Sequence, residues 1–323
     1  MAANVPASRA PAPGHNDYTI GWIAALPVEF AAARAMLTHR HKRLPVAAGD
    51  SNAYFLGSIG DHNIAIACIN EAGGLPASIV ASNMVKTFPS VRYVRMVGIG
   101  GGIRSEKYPI QLGDIVVSEP SGIFGGVVQS DYGKWEPDGF KRTGSLNRPA
   151  DGLIRAIGAW RALYYSGESQ IHRYVKHLPS GLLHPPGAWV YQGTANDPCY
   201  NKDDDCGCTT ACEECEARTP DPQVHYGIIA SGNQVIKSER QRNWIRDELG
   251  ACCVEMEAFG LMNSFPCLTI RGISDYADGR KNDLWQPYAA LTAAAYAKEL
   301  LLQLAAVAVD STPNIIDQLG QCQ

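Results

Sequence analysis

Short apolar β-like runs alternate with helical ones along most of this chain, and polar residues collect where the β-like runs end. Few folds satisfy that rhythm. "DYTIGWIAAL" (Asp17 to Leu26) reads as a first strand, and "PVEFAAARAMLTHR" follows with proline where a helix begins. "SNAYFLGSIGDHNIAIACIN" reads as a hairpin turning near Gly60-Asp61, and "LPASIVASNMVKTFP" as a helix of small residues stopped by Pro89. "VRYVRMVGIGGGI" is a strand ending in glycines, and "LGDIVVSEP" is another apolar strand. Later come a strand in "HYGIIASGNQVI", an amphipathic helix closed by Gly250, and a strand-to-helix passage in "ACCVEMEAFGLMNSF". "CLTIRGISDYAD" is a further strand, and "WQPYAALTAAAYAKELLLQLAAVAV" one long C-terminal helix. The pattern specifies an α/β domain with a ligand crevice along strand ends.

Residues 120–222, rich in Gly, Pro, Tyr and charge, interrupt this rhythm. The expected organisation is a disordered leader (1–16), a catalytic domain (17–308) with a Cys-rich insertion at about 150–222, and a frayed tail (309–323). The 323 residues suffice for a substantial core. A formal net charge of −4 gives no basic footprint for nucleic acid, and no apolar run is long enough to span a membrane. The Pro/Ala-rich leader lacks the apolar stretch of a signal peptide, so the expected location is cytoplasmic, with reduced thiols. Ten cysteines include a cluster, Cys206, Cys208, Cys212 and Cys215. Structural zinc, disulfides and free thiols all remain open there, and no cofactor or catalytic metal is called for.

Four loops at strand ends carry the chemistry: "ALPVEF", "GIGGG", "VEMEAF" and "GISDYAD". Gly98 and Gly100 to Gly102 let main chain approach a ligand, although their spacing matches no dinucleotide or P-loop fingerprint. Glu255 or Glu257 offers a carboxylate that accepts both hydroxyls of a ribose diol, or else a first-turn helix glutamate. Asp275, after a buried strand and beside Ser274, reads as a partly desolvated general acid or as an Asx-turn. Glu29 reads as a helix cap or as a base that activates water.

Taken in order, "IAALPVE", "GIGGGI", "LGDIVVS", "IASGNQVI", "VEMEA" and "RGISDYAD" resemble the nucleoside phosphorylase/nucleosidase superfamily. The resemblance is strongest to 5′-methylthioadenosine/S-adenosylhomocysteine nucleosidases and to the nucleoside-phosphorylase-like modules of fungal immune-receptor-like proteins. It implies a single-domain, three-layer α/β/α fold around a mixed, partly barrel-like sheet, and a homo-oligomer, with a dimer favoured. It gives Asp275 the role of protonating the departing purine, Ser274 that of orienting it, and Glu29 that of activating water. Glu257 would bind the ribose hydroxyls with Met256 under the sugar, Val235 and Ile236 would meet the base, and Gly100, Gly101 and Gly102 would floor the pocket. Leu26, Trp285, Arg280 and Lys281 fall at the 5′ site. The implied activity is hydrolysis of purine nucleosides or adenine nucleotides. Phosphorolysis is the enzymatic rival: where related phosphorylases carry an arginine this chain has Met96, and Arg95 would face the other way. A purine-sensing module without turnover is the rival of a different class.

Overall fold

The computed structural model describes residues 12–178, 181–198, 220–265 and 267–320. Its strands in chain order are β1 (Ile20–Ala24), β2 (His39–Arg40), β3 (Tyr54–Ile59), β4 (His62–Cys68), β5 (Tyr93–Gly102), β6 (Ile115–Ser118), β7 (Val127–Gln129), β8 (Gly133–Glu136), β9 (Gly139–Arg142), β10 (Val224–Ser231), β11 (Ala251–Glu255) and β12 (Cys267–Asp275). Its helices are α1 (Pro27–Met36), α2 (Gly74–Thr87), α3 (Asp151–Tyr165), α4 (Ile171–Lys176), α5 (Glu239–Leu249), α6 (Gln286–Leu301), α7 (Ala306–Asp310) and α8 (Ile315–Gly320).

The main sheet runs β11-β10-β6-β12-β5-β1-β4-β3-β2 and closes on itself where β11 also pairs with β5. A five-stranded barrel-like ring results, with the remaining strands extending from β5 as an open sheet. Closure falls on glycine, with Val254 opposite Gly101 and Cys253 opposite Gly102. A Cβ on Gly100 would stand 2.7 Å from Cys253 Sγ, so the strands meet there because the side chain is missing. β1 and β12 both run parallel to β5, which brings three carboxyl ends to one side. β11 arrives from the opposite direction and delivers Glu255 to the same place.

α6 is buried on almost every face, which accounts for its alanine-rich, uniformly apolar composition. It lies so close to β12 that a Cβ on Gly272 would sit 1.8 Å from the Ala289 carbonyl oxygen. No single helix among the described residues is long and apolar enough to cross a membrane.

Four expectations are corrected. The C-terminal helix stops at Leu301, where His62 Nε2 engages the Leu304 carbonyl, and a short α7 follows. The segment after β11 makes only a 3-10 turn (Ala258–Gly260), because Gly260 meets the Gly74 main chain too closely for a longer helix to continue. Residues 309–320 are docked, not frayed: Val309 and Ile315 are buried, and the Ile315 N–H donates to the Val91 carbonyl at 3.0 Å. Within the supposed interruption, α3 buries Leu153, Ala156, Ile157 and Trp160 in the main core, and Trp160 donates its indole N–H to Glu299 at 2.8 Å. Residues 1–11 of the leader and the four clustered cysteines lie outside the described residues. Residues 12–16 are placed, with His15 bonded to the Pro45 carbonyl.

Candidate active site

Glu29 is set by the first turn of α1. Leu26 caps the helix, Pro27 opens it, and the Glu29 side chain turns back onto the strand end. Its Oε2 accepts the N–H groups of Ala25 (2.6 Å) and Leu26 (2.9 Å), and its Oε1 accepts that of Ile99 in β5 (2.7 Å). A Cβ on Gly98 would lie 2.3 Å from Glu29 Oε1, so that glycine makes room for the carboxylate. Burial pushes the Glu29 carboxyl above its ordinary range, against the pull of Arg271 and the three N–H donors.

Asp275 is aimed by an irregularity. Between Ile273 and Asp275 the β12 register on β5 shifts by one residue, the kind of bulge that redirects a side chain. Its Oδ1 accepts the Ala277 N–H at 2.9 Å, and its Oδ2 accepts the Ser274 hydroxyl at 3.0 Å. Lys281 Nζ stands 3.0 Å from the same Oδ2. A Cβ on Gly101 would lie 2.9 Å from Oδ1.

Between these two carboxylates lie Glu255, Glu257 and a residue that the sequence reading passed over, Arg271. Its guanidinium pairs with Glu255 in a short contact, reaches Glu257 Oε2 at 3.2 Å, and donates to the Ile99 carbonyl at 3.3 Å. All three side chains are buried. One guanidinium therefore serves three neighbouring glutamates, counting Glu29. Glu257 is pushed up to about 7 by burial, with Glu255 and Glu29 adding to the rise against Arg271. Glu255 also accepts the N–H groups of Glu257 and Ala258, which separates the two glutamates: Glu255 holds the turn and Glu257 faces the cleft. The available signal for Arg271 was a lone basic residue inside an apolar strand, which needs a buried anion beside it.

These groups share one cavity of about 210 Å³. Of the residues expected to line it, Glu29, Ser274, Asp275, Glu257, Met256, Val235, Ile236, Gly100, Gly101, Leu26 and Lys281 do so. Gly102, Trp285 and Arg280 do not. Gly102 lies one residue past the cavity, its Cα side packed on Ile273 and Ile110. Trp285 is buried at the start of α6 among Tyr191 and Tyr288, donating its indole N–H to the Asn196 carbonyl at 3.0 Å. Arg280 turns to Asp278 at 2.9 Å, which Arg242 also approaches. Arg95 is buried away from the cavity, against the Trp22 ring and the Ala297 carbonyl. Among the described residues no cluster of three or more metal-ligating side chains is present.

A fold of this kind, with carboxylates gathered at the closure of a mixed barrel, defines a class. The chain belongs to the phosphorylase superfamily, whose family model matches residues 19–306. It is 43% identical over 301 residues, 91% of its length, to a nucleotide-binding leucine-rich repeat (NLR)-like protein of Hyaloscypha variabilis, and spans 30% of that protein. It is 26% identical to the 5′-methylthioadenosine/S-adenosylhomocysteine nucleosidase of Mycobacterium bovis, covering 88% of this chain and 95% of that one. To the ATP nucleosidase Cap17 of Escherichia coli it is 23% identical, over 84% of this chain and 48% of that one. Among solved structures, futalosine hydrolase of Helicobacter pylori superposes with a TM-score of 0.59 at 18% identity, covering 90% of this chain and all (100%) of that one. The three-layer fold around a barrel-like mixed sheet is thereby shown.

Proposed function

We propose that this chain is an N-ribosyl hydrolase that cleaves purine nucleosides or adenine nucleotides to the free base and a ribose product. The observation that carries the reading is the division of one cleft between two differently held carboxylates, Glu29 and Asp275, with Glu257 beside them. Likeness to relatives named as nucleosidases supports the same class.

Breaking a C1′–N bond leaves the electron pair on the purine and positive charge on the sugar. Asp275, carrying a proton, donates it to the departing base. Glu29 accepts a proton from the water that attacks C1′, and its raised basicity suits that task. Glu257 accepts the ribose hydroxyls, and the surplus of glutamates over the single Arg271 favours a cationic sugar. Water is the better nucleophile here than phosphate, because the wall carries Glu29, Glu255, Glu257 and Asp275 and, among the described residues, Lys281 as its only basic side chain.

Chromatography of protein incubated with adenosine, inosine, methylthioadenosine, AMP and ATP, with and without phosphate, tests this. Free base without phosphate dependence is expected. Ribose 1-phosphate formed only with phosphate would make it a phosphorylase, and binding without any release of base would make it a sensing module. Asp275→Asn is expected to lower kcat by about 10²- to 10⁴-fold with ligand still bound; near-normal turnover would remove Asp275 from the acid role.

A further inference from the structure

Lys281 occupies an odd position for a side chain next to a proton donor. Asp275 has every hydrogen-bonding contact directed at it as an acceptor: the Ala277 N–H on Oδ1, and the Ser274 hydroxyl and Lys281 ammonium on Oδ2. An ammonium 3.0 Å from that oxygen favours the ionised carboxylate, the form that has no proton to give. The pairing is asymmetric in burial. Asp275 is 4% exposed, whereas the Lys281 side chain is 28% exposed on a flexible stem. The other cations nearby are committed elsewhere: Arg280 and Arg242 to Asp278, and Arg271 to Glu255 and Glu257. Around the cavity, four carboxylates face one lysine. An anionic substrate entering it meets repulsion from every charged group on the wall except Lys281. The lysine lies in the turn between β12 and α6, whose first residue, Gln286, also lines the cavity, so the positive end of that 16-residue helix adds to the attraction there.

We infer that Lys281 is a latch on Asp275 which a 5′-phosphate group releases, making the site selective for nucleoside phosphates. The inference rests on the proposed hydrolase reading and adds its substrate class. With the cleft empty or holding a neutral nucleoside, the ammonium stays on the carboxylate. A phosphate offers the ammonium a doubly charged partner with several acceptor oxygens, and a Lys point charge suits it. Once Lys281 moves to the phosphate, Asp275 takes a proton from solvent. It passes that proton to the purine as the C1′–N bond breaks with its electrons on nitrogen. Water adds to C1′, Glu29 takes the water's proton and returns it to solvent, and the products are free base and ribose 5-phosphate (or its polyphosphate). Asp275, again a carboxylate, recovers Lys281. Lys281 is a positioning residue for the acid and a direct contact for the phosphate.

The test compares AMP with adenosine in wild type, Lys281→Met and Lys281→Arg, reading kcat and KM for base release from each. Wild type is expected to prefer AMP. Lys281→Met should lower kcat/KM for AMP by about 10- to 100-fold, as for a lost hydrogen bond to a charged group, while kcat for adenosine rises because the acid is no longer tied. Lys281→Arg should keep the AMP preference. A parallel fall on both substrates in Lys281→Met means a structural role and overturns the latch, as does a fall on AMP with adenosine unchanged. Wild type that cleaves adenosine as well as AMP overturns the latch and leaves the hydrolase standing. Base from neither substrate, nor from ATP or methylthioadenosine, overturns both.

Discussion

The floor of the cleft and its mouth are built from the same materials and held in opposite ways. On the floor, Glu29 is fixed by three main-chain N–H groups, and Glu255 and Glu257 by a buried guanidinium. At the mouth, Asp275 has one main-chain donor, a neighbouring hydroxyl and a lysine that reaches in from partly exposed surface. The base side is thus preorganised, with its dipoles already paid for by folding, and the acid side is adjustable. A hydrolase that must exclude idle protonation while keeping a water in place has reason to divide rigidity in this way.

The sharpest break in that contrast comes from Arg271→Met. It strands Glu255 and Glu257 without their cation, and the expected loss of stability is about 3–5 kcal/mol, read from the urea midpoint. A loss close to zero would mean the floor is held by its main-chain bonds alone. Next in size is a pH effect. Glu257 has its folded pKa raised to about 7 from an ordinary 4.5, so the folded state binds the extra proton. The stability this contributes is complete below about pH 4.5 and disappears as pH rises through about 7. Between pH 5 and 8 wild type should lose about 1–3 kcal/mol that Glu257→Gln retains; equal slopes would place the shift elsewhere. Smallest is Ser274→Ala at the mouth, which removes one hydrogen bond of two on Asp275 Oδ2. It should lower kcat by about tenfold or less with an unchanged urea midpoint, and a 10³-fold loss would show that the mouth is as rigid as the floor.

Much of this contrast could be read from the sequence at strand ends, because glycines and carboxylates there break an apolar pattern in plain view. Glu29, Glu257, Ser274 and Asp275 line one cavity, and the strands flanking them fall where the apolar runs lie. What escaped reading depends on neighbours distant in sequence. Arg271 sits in a run that otherwise reads as buried strand, and its partners lie 14 and 16 residues away across the closure of the sheet. Trp285 has the right chain position for the mouth, yet its ring is drawn inward by Tyr191, a residue of the long segment before β10. α3 was concealed by composition: the Gly- and charge-rich flanks masked Leu153, Ala156, Ile157 and Trp160, whose 3-1-3 spacing marks a helix face. Residues 309–320 looked polar enough to fray, and two buried side chains, Val309 and Ile315, suffice to seat them.

β5 contributes no reacting side chain, yet it touches both halves of the cleft. The Ile99 N–H grips Glu29, and two residues on, Gly101 leaves the space that Asp275 Oδ1 fills. The interval between base and acid is therefore cut to length by the rise of a strand, about 3.3 Å per residue, and not by the rotamers of the groups that react. β5 acts as a gauge block. Side chains around it can be exchanged without altering the interval, whereas one residue inserted between Ile99 and Gly101 would reset it by a whole step and turn one of the two contacts to the opposite face of the sheet.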